Sequence, residues 1–326
     1  MNLNKLKIAY IAKYAPAVSN PAPIKTTLDE KVYSQYHYDI YSILSNICPN
    51  IITSNSPNLI SEYHEEIDYT FSLLNRAPYR NSEIYISSLL EFYKIPYLGA
   101  RPNVRALAED KQLAKMMSVY CDVKTPKWVT YNINDPINDF KPFEGPYFVK
   151  PRFGASSMHI NEQSICYSWK EVKQRISFLY DQNVDVIVEE FINGTFYSSP
   201  VYFDNLKPVF LPPVCEKSTL KGNVVTYGQK RKIEDGLMRS IDNNTKLNSQ
   251  IIACSEKLLK YILPIDYARF DYMITNDLDI YFLEFNVCCN LGKQSAFVIS
   301  ANGVNLSQKD LVEKILINSL KRQGLI

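Results

Sequence analysis

Two short alternating runs near the C-terminus constrain the fold more than any other feature. Ala268, Phe270 and Tyr272 alternate with Arg269, Asp271 and Met273, and a turn carrying Asn276, Asp277 and Asp279 leads into a second run from Ile280 to Phe285. A period of two is the mark of a strand with two unlike faces, and a polar turn between two such runs predicts a hairpin. Arg269 and Asp271 then share one face, and Glu284 and Asn286 share a face of the neighbouring strand. Pairing those faces gathers three oxygen-bearing side chains beside one guanidinium. Hard divalent cations such as Mg²⁺ take carboxylate, amide and phosphate oxygens, so this hairpin suits an enzyme that uses ATP.

The rest of the chain reads as strands alternating with helices. Residues 6–12 and 67–74 look like strands, 82–94 has helical apolar spacing, and a strand-like Pro96-Tyr97-Leu98 closes at Gly99. That alternation predicts a parallel α/β sheet. A helix is expected from about Asn103 through Lys111 to Tyr120, ending before Thr125-Pro126. Strands follow at 128–130 and 146–150, then a loop from Pro151 to Met158 and a buried strand at 185–192. Strands at 196–211, a polar loop at 215–236, a helix at 246–262, the acidic hairpin and a last helix at 308–322 complete the chain. The expected division is 1–100, 101–189 and 190–326.

Composition narrows the partners. The 326 residues, 46% hydrophobic and 21% charged, can bury a sizeable core. A net charge of +2, from 36 basic and 34 acidic residues, disfavours nucleic-acid or membrane-surface binding. No apolar run approaches the roughly 20 residues of a membrane span, and the start shows no cleavable signal pattern, so a cytoplasmic location is expected. The seven cysteines lack any C-x-x-C spacing and read as reduced thiols. Three histidines, at 37, 64 and 159, supply a zinc site or a histidine base poorly.

A second chemical element is the loop Pro151-Arg152-Phe153-Gly154-Ala155-Ser156-Ser157, which follows a strand ending in Lys150. Small residues let backbone N–H groups approach a phosphate, and serine hydroxyls add donors. Most such loops merely turn the chain. This one gains weight from Lys111 and Lys150, from the strand end Glu189-Glu190-Phe191-Ile192, which can meet an adenine, and from the acidic hairpin.

In order, Asp110-Lys111, Phe148-Val149-Lys150-Pro151 with Ser156-Ser157, Val188-Glu189-Glu190-Phe191-Ile192-Asn193-Gly194, Arg269-Phe270-Asp271 and Leu283-Glu284-Phe285-Asn286 resemble the ATP-grasp ligases. Within them the chain is most similar to the D-alanine–D-alanine ligase family, over roughly residues 67–322. The resemblance implies an α/β ATP-grasp fold with an N-terminal Rossmann-like α/β domain. It also implies ATP and two Mg²⁺ ions, with Mn²⁺ as a substitute. By position, Lys111, Lys150, Ser156, Ser157, Glu189, Glu190, Ile192 and Leu283 would bind ATP, and Lys230 would reach the γ-phosphate. Arg269, Lys230 and Ser156 would serve catalysis. Asp271, Glu284 and Asn286 would hold the metal, while Ser295 and Asn290 would meet the incoming amino acid.

The departures bear on the first substrate. Residues 12–30 hold no glycine, and Asn75-Arg76-Ala77-Pro78-Tyr79-Arg80-Asn81 replaces the family's His-Gly segment. Arg231 stands where a tyrosine is usual, Phe196 where a ribose-binding glutamate is usual, Asn290 for the glycine of the oxyanion loop and His159 for a lid glycine. The expectation is a carbon–nitrogen ligase that joins an amino acid to a small-molecule carboxylate other than D-alanine, alone or as a homodimer. Arg76 and Arg80 read either as cations for an anionic acyl substrate or as solvated surface charges. The competing readings are a true D-alanine–D-alanine ligase and a catalytically silent ATP-binding protein.

Overall fold

The computed structural model describes residues 3–15, 28–74, 82–154, 157–231 and 234–326. The chain opens with β1 (Ile8–Ile11), α1 (Leu28–Ile47), β2 (Ile51–Ser54), α2 (Asn58–Tyr63), β3 (Tyr69–Ser72) and α3 (Ser82–Tyr93). The three strands form a parallel sheet in the order β2-β1-β3. Parallel neighbours need a crossover, which the intervening helices supply. Every residue of β1 and β3 is buried, as expected of a parallel sheet covered on both faces.

The expected single helix over 103–120 is two, α4 (Pro102–Glu109) and α5 (Lys111–Tyr120). Asp110 breaks it with an extended backbone, φ −96° and ψ 104°. Its carboxylate is used twice. It caps α5 by accepting from the Gln112 N–H, and it takes a two-pronged ion pair from Arg152 at 2.9 and 2.7 Å. Lys111 thereby starts a new helix rather than sitting midway along an old one.

Next come β4 (Trp128–Tyr131), β5 (Tyr147–Pro151), β6 (Ile165–Cys166), α6 (Trp169–Asp181) and β7 (Val186–Glu190). These strands form an antiparallel sheet in the order β4-β7-β5-β6, backed by Val172, Ile176 and Leu179 of α6. The last part holds β8 (Thr195–Asp204), β9 (Lys207–Phe210), β10 (Val214–Ser218), α7 (Tyr227–Arg231), β11 (Leu237–Ile241) and α8 (Thr245–Leu259). It continues with β12 (Tyr267–Ile274), β13 (Ile280–Asn286), α9 (Ala296–Asn302) and α10 (Gln308–Arg322). Its sheet runs β11-β10-β8-β12-β13, with β9 beside β8. The segment expected as a polar loop, 215–236, therefore carries most of a strand and a short helix. Its polar side chains misled because several are buried against other charges.

The parts are fastened by Asp266, which is fully buried. Its oxygens accept from the Gly99 N–H (2.7 Å), from Ser319 Oγ (2.7 Å) and from Arg322 Nε and Nη2 (2.9 and 3.0 Å). Gly99 has φ +97°, and a Cβ there would lie 2.8 Å from Arg105 Nη2, so only glycine suits this turn. Among the described residues, no helix is long and apolar enough to cross a membrane.

Candidate active site

Strand register builds the first half of the site. Across β12 and β13, Arg269 faces Asn286 and Asp271 faces Glu284. Directly paired residues share a face. Across β8 and β12, Asp271 faces Ser198, while β10 and β11 bring Glu216 opposite both Phe196 and Arg239. Arg239, Glu216, Phe196, Ser198, Arg269, Asp271, Glu284 and Asn286 thus lie on one face of the six-stranded sheet. The expected hairpin is present with one irregularity. Asp271 faces Glu284 but Tyr272 faces Phe282, leaving Leu283 without a partner. Strict alternation would put Leu283 and Glu284 on opposite faces. This bulge lets both line the same cavity.

That cavity, of about 410 Å³, is the second half of the site. It lies between the four-stranded and six-stranded sheets. Lys111, Lys150, Ser157, Glu189, Glu190, Ile192, Lys230, Leu283 and Glu284 all line it, alongside apolar Phe148, Phe191 and Met273. Phe196 is also in the wall, and Lys230 Nζ stands 5.8 Å over its ring. His159 and Ser157 have φ +57°, the left-handed conformation glycine favours. Both carry side chains in that conformation.

Among the described residues, three lysines and five carboxylates line the cavity, and the lysines face Glu189 and Glu284. Lys111 Nζ donates to the Gly154 carbonyl at 2.7 Å and stands 3.8 Å from Glu284. Lys150 Nζ lies 2.9 Å from one oxygen of Glu189, and Lys115 Nζ 3.0 Å from the other. Burial pulls Lys111 and Lys230 below the usual lysine range. Burial works to raise Glu284, but Lys111, Lys150, Lys230 and Arg269 outweigh it and hold the carboxylate low and charged. Glu189 is likewise held low, because Lys115 and Lys150 overcome its burial.

Beside the cavity, Asp271 is fully buried and takes Arg269 Nε and Nη2 at 2.8 and 2.7 Å. Ser198 Oγ and Asn286 Nδ2 reach the same carboxylate at 2.9 and 3.3 Å. Ser198 also approaches Glu216 Oε1 (3.2 Å), whose second oxygen takes Arg239 Nε (2.9 Å). Burial acts against the Arg269 charge, but Asp271 outweighs it and raises the guanidinium. Among the described residues no three His, Cys, Asp or Glu side chains form a metal cluster. Two carboxylates and an amide on one sheet face do supply hard oxygen donors, to be completed by phosphate and water oxygens. That is the donor set Mg²⁺ prefers, so the residues fit such an ion.

Asn290 and Ser295 follow β13, outside the cavity wall. Asn290 Oδ1 accepts from the Gly292 N–H at 2.6 Å, and Ser295 Oγ caps α9 by accepting from Val298 N at 3.2 Å. Accepting leaves the serine proton available to donate. Ser156, Arg76 and Arg80 lie outside the described residues. Lys115, Ser198, Glu216 and Arg239 escaped the sequence reading. Lys115 had one signal, its spacing of four from Lys111, which puts both on one helix face. Arg239 had another, the alternation of β11.

Comparison with known proteins bears on this geometry. Residues 118–317 match the family model described as D-ala D-ala ligase C-terminus. A D-alanine–D-alanine ligase of Clostridium botulinum (strain Eklund 17B / Type B) is 28% identical over 240 residues, 72% of this chain and 76% of that protein. One from Aquifex aeolicus is 28% identical over 232 residues, 71% and 76% respectively. Among solved structures, the D-alanine–D-alanine ligase of Bacillus anthracis complexed with ATP superposes with a TM-score of 0.76 at 18% identity, covering 98% of this chain and 99% of that one. The VanG D-Ala:D-Ser ligase of Enterococcus faecalis gives 0.69 at 17% identity, covering 96% and 99%. At these identities the structural likeness is one of fold.

Proposed function

The chain belongs to the D-alanine–D-alanine ligase family, ATP-dependent enzymes that form carbon–nitrogen bonds, and on that footing we propose that it joins two D-amino acids, D-alanine foremost, through an acyl phosphate. What carries the reading is the cavity in which Lys111, Lys150 and Lys230 open onto Glu284 and the Arg269–Asp271 face. The three ammonium groups would meet the phosphates of a nucleoside triphosphate. Its base would lie against Leu283, Met273 and Ile192, with Glu189 and the backbone of Glu190 and Ile192 toward the adenine edge. Lys111, Lys150 and the lid residues Ser156 and Ser157 would meet the phosphates, and Lys230 the γ-phosphate.

Asp271, Glu284 and Asn286 would hold the divalent cation, two ions in our reading, Mg²⁺ or Mn²⁺. When bound it would neutralise phosphate charge and align the transferring group. The donor carboxylate oxygen bonds to the γ-phosphorus as the bond to ADP breaks. The acceptor amine, having shed a proton, then attacks the carbonyl carbon, and inorganic phosphate leaves with the donor's oxygen. Arg269, oriented by Asp271, would face the oxyanion that develops on that carbon. Ser295, with its proton free to donate, would take the acceptor carboxylate. Closure of the lid and of residues 219–236 would keep water from the acyl phosphate. Incubation with ATP, Mg²⁺ and D-alanine should yield D-alanyl-D-alanine, ADP and phosphate in equal amounts. ATP turnover with other carboxylate–amine pairs but none with D-alanine would refute the choice of substrate.

A second reading, an acyl donor other than D-alanine, has one structural observation in its favour. The loop after β13 spends its polar groups internally, with Asn290 on Gly292 and the Leu291 N–H donating to Tyr36 Oη at 3.1 Å. Under this reading Arg76 and Arg80 would face an anionic donor. Replacing either by alanine should then raise KM for the donor and leave KM for ATP unchanged.

A further inference from the structure

We infer that Lys115 is a positioning residue for nucleobase recognition, holding Glu189 in place and charged when Lys150 turns from Glu189 to the nucleotide. The inference rests on the ATP reading of the cavity. In the structure each oxygen of Glu189 has its own ammonium, Lys115 at 3.0 Å and Lys150 at 2.9 Å. The two lysines are not equivalent. Lys150 lines the cavity and can be drawn to a ligand, whereas Lys115 is fully buried and is not part of the wall. Lys115 Nζ also donates to Thr125 Oγ1 at 2.9 Å, and that hydroxyl donates to the Phe282 carbonyl of β13 at 2.8 Å. The ammonium is therefore tethered to the strand that carries Leu283 and Glu284.

Consider Glu189 without it. A buried carboxylate holding only Lys150 would bind that lysine tightly, because losing its last counter-charge in a dry setting is costly. Lys150 could then serve the nucleotide only at the expense of Glu189. With Lys115 fixed behind it, Glu189 keeps a cation throughout. When Lys150 turns to the nucleotide, Glu189 Oε2, the oxygen it held at 2.9 Å, is released and can accept from an exocyclic amino group such as that of adenine. A 6-oxo base would instead set a carbonyl oxygen against the carboxylate.

The test is calorimetric binding of ATP and of inosine triphosphate, each with Mg²⁺, to the full chain. Wild type should prefer ATP by at least about tenfold, since a site built to accept from an N–H rejects an analogue lacking it. Lys115→Met should weaken ATP by about tenfold and bring the two nucleotides within about twofold, and Lys115→Arg should restore most of the preference. Should Lys115→Met fail to fold, Lys115→Gln, which keeps a donor in place of the ammonium but removes the charge while Glu189 stays, should show the same loss of preference. An unchanged ATP-to-ITP ratio in either variant overturns the role of Lys115 and leaves the ligase reading intact. No binding of ATP by wild type overturns both.

Discussion

At the level of single residues the site is an arrangement of charges that only make sense together. Glu284 stands between Lys111 at 3.8 Å and the Asp271 carboxylate across the strand pair. Its removal would leave Asp271 and Asn286 too few oxygens for a divalent cation. Glu284→Ala should therefore abolish phosphate release while the circular dichroism spectrum stays that of wild type, and near-normal turnover with Mg²⁺ would sink the metal assignment. Lys115 gives a second prediction, in stability. Burial outweighs Glu189 and pulls its pKa from 10.5 to about 8. Below that value both folded and unfolded chains hold the proton. Between it and 10.5 only the unfolded chain does, so unfolding takes up a proton and this group's contribution to stability rises with pH. The unfolding free energy of wild type minus that of Lys115→Met should climb from pH 8 to about pH 10. A flat difference would mean that Lys115 titrates as an ordinary lysine. Why did the sequence disclose Glu284 and not Lys115? The acid sits in a two-strand alternation that states its face outright. The lysine's importance comes from Glu189, about seventy residues away in sequence, and no local pattern records that pairing.

At the level of elements, breaks in regularity position the chemistry. The bulge at Leu283 turns two consecutive side chains to one cavity, and the interruption at Asp110 starts α5 at Lys111. Both defeat reasoning from periodicity, which assumes an unbroken strand or helix. The apolar spacing from Val104 to Met117 does continue through Asp110, so a single helix was the natural expectation. What ends it is the partner Arg152, 42 residues on, whose guanidinium draws the Asp110 carboxylate out of the helical path. The buried hairpin and the α/β alternation were legible because each repeats one period over several residues. Strand β10 was not, because Glu216 and Ser218 are polar toward a charged site rather than toward water. Asp110→Ala should remove both the cap and the fork and cost about 2 kcal/mol in urea unfolding. A loss under about 0.5 kcal/mol would place Asp110 among ordinary surface positions.

At the level of the whole molecule, two sheets enclose a cavity that holds three lysines, and a third part is pinned through Asp266, Gly99 and Arg322. The nucleotide half of this design was readable because its residues fall in short ordered motifs. The acyl-donor half was not, because segments 12–30 and 75–81 depart from the family and carry no pattern of their own. The family fixes the class of chemistry, ATP-dependent carbon–nitrogen bond formation, and the acyl phosphate is the step our account places at the Arg269–Asp271–Glu284 face. The most direct test supplies D-alanine labelled with ¹⁸O in its carboxylate, together with ATP and Mg²⁺, and reads the label in the released phosphate by mass spectrometry. One ¹⁸O should pass to phosphate for each amide bond formed. Amide formation with unlabelled phosphate would contradict the account.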